Sequence, residues 1–358
     1  MNLLFAGDLA WPAADIMAYD ELQALCRDAK MVVNLEGGII TALAEQSAVN
    51  NEYKFNIYSH PSVVDTLAAL NVVACGLANN HISDYVGGVV NSKTMLAERG
   101  MAVFGSRAQP WCVITVGGQQ YVLFGACSPL PEPHTESHDH ALSFAPAAAL
   151  TLLARLRLDY PQAKLVAFMH WGYELASYPQ PADREWARQA VDAGVDLVIG
   201  HHPHVVQGLE WHGRGLIAYS LGNLLLPQAD FRGRKLHYQT QAVCEQLVLE
   251  VRADAVHAHW LRYDPQQQRV AYLGGGPAAV DRQLQQRTPY AGMSDRAYRR
   301  WFAEAGQYGS AGKRPRIVFW SYRGWRRADS KVKFALLAAK SWLRKLAIGS
   351  GLHKPYNW

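Results

Sequence analysis

The chain of 358 residues is 49% hydrophobic, enough for a substantial core, and this excludes a disordered polypeptide. Residues 290–358 hold 15 of the 35 lysines and arginines but 3 of the 30 acids, so an acidic body of 20 basic and 27 acidic residues precedes a basic tail. The five cysteines (Cys26, Cys75, Cys112, Cys127, Cys244) are odd in number, widely spaced and without a CxxC pair, which argues against a disulfide framework and a thiolate zinc site.

LLFA at 3–6 reads as a short buried strand, and Gly7 lets the backbone turn so that Asp8 emerges at its end. Helical periodicity follows from Asp15 to Lys30. MVVN at 31–34 is the second strand and delivers Glu36. Residues 40–60 form a polar loop with Lys54, Tyr58 and His60 as rim contacts. Pro61 opens a helix through Leu70, and NVVACG is the third strand. Its turn carries Asn79, Asn80, His81 and Asp84.

A helix at 91–99, a short strand at 102–104 and a Gly-Gly hairpin at 111–128 come next. Helix 146–158 and strand 164–169 return to βα alternation and end at His170. A helix from Asp183 to Ala193, the run VDLVI, His202-Pro203-His204, and a strand at 215–219 ending near Asn223 complete the pattern. AVCEQLVLEVR and AVHAHWLRYD read as two antiparallel strands.

The chain then divides into a body at 1–270, a linker and irregular segment at 271–315, and a tail at 316–358. In the tail, Val332, Ala335, Leu336, Ala339, Trp342, Leu343 and Leu346 share one helical face, with Lys333, Lys340 and Arg344 nearly opposite, while Phe334 and Leu337 break the pattern.

Metal-competent residues thus recur just past apolar strands, where α/β sheets bind ligands. A lone histidine beside a strand is more often a hydrogen-bonded structural residue, but five strand ends carry the same chemistry. Asp, Glu, Asn and His without Cys suit manganese, iron or zinc in a two-metal site for phosphate-ester hydrolysis, with manganese preferred. His81 is placed to contact the phosphate or protonate the leaving group, with Asp84 orienting it. A plain turn hydrogen bond is the alternative for that pair.

The ordered blocks GDLA, NLEG, LANNHISDYVGG, HWGYE, DAGVDLVIGHHPHVVQ and YSLGN resemble the capsule-synthesis CapA family of the calcineurin-like metallophosphoesterase superfamily, over roughly residues 1–250. The resemblance implies an α/β fold, a four-layer αββα sandwich with a dinuclear site between the strand ends; the basic helical C-terminal extension lies outside it. It implies Asp8 and His204 on the first of two divalent metal ions, Glu36 bridging, and Asn80, His170 and His202 on the second. His81 is then the catalytic imidazole.

The wider superfamily has a histidine where this chain has Ala10 and a bridging aspartate where it has Glu36; both departures are shared with the CapA-type pattern. His201 is not a pattern position and reads as a surface residue or one behind the ligands. Glu174 and Asn223 are candidates to orient ligands, and Trp171 to pack the core.

The functional expectation is a metal-dependent phosphoesterase-like hydrolase of capsule or exopolysaccharide biosynthesis, acting on a phosphorylated or polyanionic glycan or polymer intermediate. The alternatives are a non-catalytic metal-binding assembly factor for an anionic polymer such as poly-γ-glutamate, and hydrolysis of an amide. No nucleic-acid motif is present. With no basic, apolar leader at the start and no apolar run of membrane-spanning length, the expected location is cytoplasmic. Peripheral contact with the inner membrane face through the basic tail is one reading of that segment, and docking on its own domain the other.

Overall fold

The computed structural model describes residues 1–41, 55–128, 139–238, 240–252 and 255–304, together with positions 339 and 343. The chain opens with β1 (Asn2–Leu9), α1 (Asp20–Leu25), β2 (Ala29–Leu35), α2 (Val63–Ala69), β3 (Val72–Gly76), α3 (Gly88–Glu98) and β4 (Ala102–Phe104). The antiparallel pair β5 (Trp111–Val116) and β6 (Gln119–Cys127) follows, then α4 (Pro146–Asp159), β7 (Lys164–His170), α5 (Pro181–Asp192) and β8 (Leu197–His201). The remainder is β9 (Leu209–His212), β10 (Gly215–Ala218), β11 (Asn223–Leu225), β12 (Glu245–Val251), β13 (Val256–Asp264), β14 (Arg269–Pro277), α6 (Arg282–Arg287) and α7 (Asp295–Glu304).

Two sheets result. One runs β14-β13-β12-β1-β2-β3-β4, with β11 also pairing β1; the other runs β5-β6-β7-β8-β10-β9. Strands β1 to β4 are mutually parallel, as are β6, β7, β8 and β10, which aims their carboxyl ends the same way within each sheet.

Strand alternation splits each apolar run between two cores. Leu3, Phe5, Val32 and Ala74 of the first sheet join Leu123, Val166, Phe168, Leu197 and Ile199 of the second in one buried layer between the sheets. Their neighbours Leu4, Ala6, Met31 and Val33 face outward onto Leu22 of α1, Leu67 of α2 and Leu96 of α3. On the far side Leu165, Ala167, Met169 and Val198 meet Leu153 of α4 and Trp186 and Ala190 of α5. This is the four-layer αββα sandwich. Burying each such side chain is worth about 1.5–3 kcal/mol, so continuous apolar strands are what the central layers require.

The linker expected from residue 271 is ordered through Glu304. β14 pairs with β13 from Arg269 to Pro277, so residue 270 lies inside a strand, and Tyr290, Tyr298 and Phe302 are buried in the outer core. The Gly274–Gly276 run misleads because glycine normally punctuates a chain. Here a Cβ on Gly275 would lie 2.6 Å from His259 Nδ1, so the strand needs glycine for close packing. Arg184, buried in α5, pins the segment: it donates to Glu210 at 2.6 and 2.7 Å and to Met293 O at 2.9 Å, and its guanidinium lies 4.7 Å from the Tyr298 ring.

The helix expected over 15–30 is only α1, because β2 already begins at Ala29, and the edge strand β9 was not anticipated. The tail at 316–358 lies outside the described residues, save Ala339 and Leu343. Among the described residues the five cysteines are buried free thiols, and no helix is long and apolar enough to cross a membrane.

Candidate metal centre

Asp8 stands at the end of β1, level in the ladders with Asn34 on β2 and Asn223 on β11. Gly7 permits this: a Cβ there would sit 2.0 Å from Gly222 O, an approach no larger residue allows. Asp8 N donates to that same oxygen at 3.1 Å. Glu36 lies one residue past β2. Both carboxylates are fully buried, and the Asn34 amide bridges them, its Nδ2 lying 2.7 Å from Asp8 Oδ1 and 2.6 Å from Glu36 Oε2. Asn79 Nδ2 in turn donates to Asn34 Oδ1 at 3.1 Å and to Leu35 O at 2.7 Å.

From the facing sheet, His170 ends β7. Ligand atoms of Asp8, Glu36 and His170 lie within 4.8 Å of one another. His170 Nε2 is 2.7 Å from Asn80 Oδ1 and 3.7 Å from Glu36 Oε1. The His202 ring centroid is 4.8 Å from that of His170 and 6.1 Å from that of His204. His204 Nδ1 lies 3.2 Å from Asp8 Oδ2 and 2.9 Å from Asn223 Oδ1.

The turn after β8 is strained. His202 has φ +93° and His204 φ +56°, although proline normally holds the residue before it extended. Such conformations cost about 1–3 kcal/mol each and persist only where surroundings impose them. One such constraint is the hydrogen bond from His202 N to Asp8 Oδ2 at 3.2 Å.

Beside this cluster, His81 Nδ1 is 2.6 Å from Asp84 Oδ2, which also accepts from Ile57 N at 2.9 Å. His81 N donates to Asn79 Oδ1 at 3.0 Å. The ring therefore turns Nε2 toward Glu36, 3.9 Å from Oε1.

The electrostatics divide the imidazoles. Burial, reinforced by His202 and the other histidines, pushes His170 well below its ordinary value, and burial pushes His202 down to about 4. Both are neutral near pH 7, the state that binds metal. Burial opposes a charge on His204 too, but the hydrogen bond and charge of Asp8, with Glu36 and Glu174, raise it to about 10. Asp8 is held low by the same ion pair despite its burial.

Two carboxylates, an amide oxygen and neutral imidazoles are a donor set for a divalent ion of borderline hardness. His170 Nδ1 and His202 Nδ1 are buried with no hydrogen-bond partner among the described residues. Leaving such an atom unmatched costs about 1–3 kcal/mol, so the residues fit a cation.

The other residues singled out in the sequence fall into place around the cluster. His201 is buried, not at the surface: its Nε2 lies 3.2 Å from Ala6 O and its ring packs on Phe168. Trp171 is core, donating to Tyr219 O at 3.0 Å. Glu174 is exposed and acts on His202 and His204 through its charge. Tyr58 is buried against Tyr85 and Phe231, His60 is exposed, and Lys54 lies outside the described residues. Asn34 was missed, and its one signal is a polar residue two before Glu36 in an otherwise apolar strand.

Two packed sheets between layers of helices, with carboxylates and imidazoles meeting at the strand ends, define the class as an α/β sandwich with a candidate metal centre. Within that class the chain belongs to the family described as bacterial capsule synthesis protein PGA_cap, which it matches over residues 12–228. It is 30% identical over 174 residues to "Capsule biosynthesis protein CapA" of Bacillus anthracis, covering 42% of this chain and 39% of that protein. It is 27% identical over 240 residues to the "Probable polyglutamine synthesis accessory protein" of Mycobacterium tuberculosis, covering 61% and 60%. These matches therefore span less than two thirds of either relative. Among solved structures, a phosphatase from Mycoplasma pneumoniae superposes with a TM-score of 0.39 at 13% identity, over 77% of this chain and 92% of that one.

Proposed function

We propose that this protein is a metal-dependent phosphoesterase-like hydrolase of bacterial capsule or exopolysaccharide production, acting on a phosphorylated or polyanionic polymer intermediate. The observation that carries the reading is the approach of Asp8, Glu36 and His170 within 4.8 Å of one another, with the His81–Asp84 pair beside them. Asp8, Glu36, Asn80, His170, His202 and His204 would hold two divalent ions, His204 giving up the proton it shares with Asp8 as an ion takes its place. Bound there, such ions supply charge neutralisation of a phosphate and acidification of water.

The protein's own groups set up the rest. Asn34 fixes both carboxylates, so that neither must reorganise when substrate enters. Asp84 fixes the His81 tautomer and leaves Nε2 to hold or deliver a proton at the leaving-group oxygen. The names of the two relatives direct the proposal to polymer synthesis. The basic tail, in this proposal, brings the enzyme to the inner membrane face, and flotation with anionic liposomes of the full chain and of a form ending near residue 304 tests it.

Hydrolysis of p-nitrophenyl phosphate and bis-p-nitrophenyl phosphate with manganese tests the activity, with turnover expected for the wild type and lost in His202→Ala. The printed description of the mycobacterial relative as an accessory protein favours a second reading, a metal-holding assembly factor without turnover. Bound metal with no hydrolysis of either ester would select that reading.

A further inference from the structure

Between β11 and β12 the chain forms a tight hairpin. Phe231 N donates to Arg234 O and Leu236 N to Ala229 O, both at 2.9 Å, and Asp230 pairs antiparallel with Lys235. The two tip residues, Arg232 and Gly233, have φ +56° and +79°, the pair of left-handed conformations that a two-residue type I′ connection needs. Glycine suits that backbone. Asparagine, aspartate or glycine ordinarily fills the first tip position, and an arginine there is strained.

The hairpin is anchored on a buried cluster that also contains Ala10, two residues past Asp8, and Ile57, whose amide bonds Asp84. Phe231 is buried edge-on to Phe55 and Tyr58, at 5.6 and 5.7 Å between ring centroids, and Tyr58 is edge-on to Tyr85 at 5.5 Å. The exposed Arg232 holds its guanidinium 5.7 Å from the Tyr85 ring, and Arg234 lies 5.3 Å from the Phe55 ring. Tyr85 follows Asp84, whose carboxylate orients His81. Arg232 also hydrogen-bonds the Tyr85 side chain, which ties its guanidinium to the residue next to Asp84. Asp230 Oδ1 is engaged by Gly233 N at 2.6 Å, and Lys235 is exposed beside it.

We propose that Arg232, flanked by Arg234 and Lys235, binds a second anionic group of the substrate, a carboxylate or phosphate adjacent to the group handled at the strand ends. This rests on the reading of those strand ends as a centre for an anionic polymer. A guanidinium fork matches either anion in paired hydrogen bonds. Three cationic side chains within four positions, on a body whose first 289 residues are acidic overall, concentrate the attraction at the hairpin tip. Strain kept at the tip is then the structural cost of presenting arginine where glycine would fold better.

The test separates folding from recognition through Arg232→Gly, which removes the charge and relieves the backbone. Binding is measured without turnover, by anisotropy of a short fluorescein-labelled oligoglutamate and by competition with inorganic tripolyphosphate at low salt. The expected result is binding weakened by about tenfold or more, the scale of one charge-assisted hydrogen bond. The melting temperature of Arg232→Gly should be unchanged or higher, and Arg232→Lys should retain part of the affinity.

Whichever probe is affected assigns the anion. A well-folded Arg232→Gly that binds both probes as the wild type does, or a wild type that binds neither, overturns the inference. If the wild type hydrolyses no phosphate ester yet loses polyanion binding on Arg232→Gly, the hydrolase reading falls and this one stands.

Discussion

Asn34→Leu removes one amide of nearly unchanged volume, and its effect follows from what that amide touches. Nδ2 lies 2.7 Å from Asp8 Oδ1 and 2.6 Å from Glu36 Oε2, and both carboxylates are fully buried. Two hydrogen bonds to charged acceptors are worth about 1.5–3 kcal/mol each, so the metal-stripped variant should lose about 3–6 kcal/mol of folding stability. Asn79 Nδ2 also loses its partner at Asn34 Oδ1, 3.1 Å away, which pushes the value toward the upper end. A cation on the carboxylates stabilises the wild type more than the variant, because Asn34 holds both carboxylates in place to receive it. Urea unfolding with a chelator and then with excess manganese measures both quantities. The variant's metal affinity should fall by about 10–100-fold, so that excess manganese widens the gap between variant and wild type by about 1.4–2.7 kcal/mol. Equal stability of the two stripped proteins, or a gap that metal leaves untouched, would refute the reasoning.

Gly7→Ala should cost more than about 4 kcal/mol, since its methyl meets the backbone oxygen of Gly222 at 2.0 Å; soluble expression and thermal unfolding check this, and a near-normal melting temperature would contradict it. Glu250 offers a test away from the strand ends. Although burial raises its pKa, hydrogen bonds from Arg252, His259 and Asn2 bring it from 4.5 down to about 2. Its contribution is therefore present above pH 4.5 and disappears as pH falls through 2. Glu250→Gln should be less stable than the wild type at pH 6 by about 1 kcal/mol after solvent screening, with the two curves merging near pH 2. Curves that stay parallel from pH 6 to pH 2 would count against that ion pair.

Much of this site was legible because strands announce themselves twice, by an apolar run and by the polar residue that ends it. LLFAGD, MVVNLEG and KLVAFMH place Asp8, Glu36 and His170 at strand ends by that rule, and the sheets bring those ends within bonding reach. The four layers came from the resemblance alone, and in the structure alternation builds them, since Leu3 and Leu4, or Val166 and Ala167, turn to different cores. Asn34 escaped because its partners depend on the register of β1 against β2, which is a long-range pairing. The His202-Pro203-His204 turn escaped in its backbone: proline rules point to an extended His202, and tertiary contacts impose φ +93° instead. The glycines of β14 misled because local chemistry signals a turn while packing against His259 demands a strand.

The central claim is that two sheets bring carboxylates and imidazoles together to hold divalent metal. Elemental analysis of the full chain, equilibrated with manganese, iron and zinc and then desalted, tests it directly against His170→Ala. Stoichiometric metal on the wild type and its loss from a folded His170→Ala is the predicted result. A wild type without bound metal, or a variant that retains as much as the wild type, would contradict it.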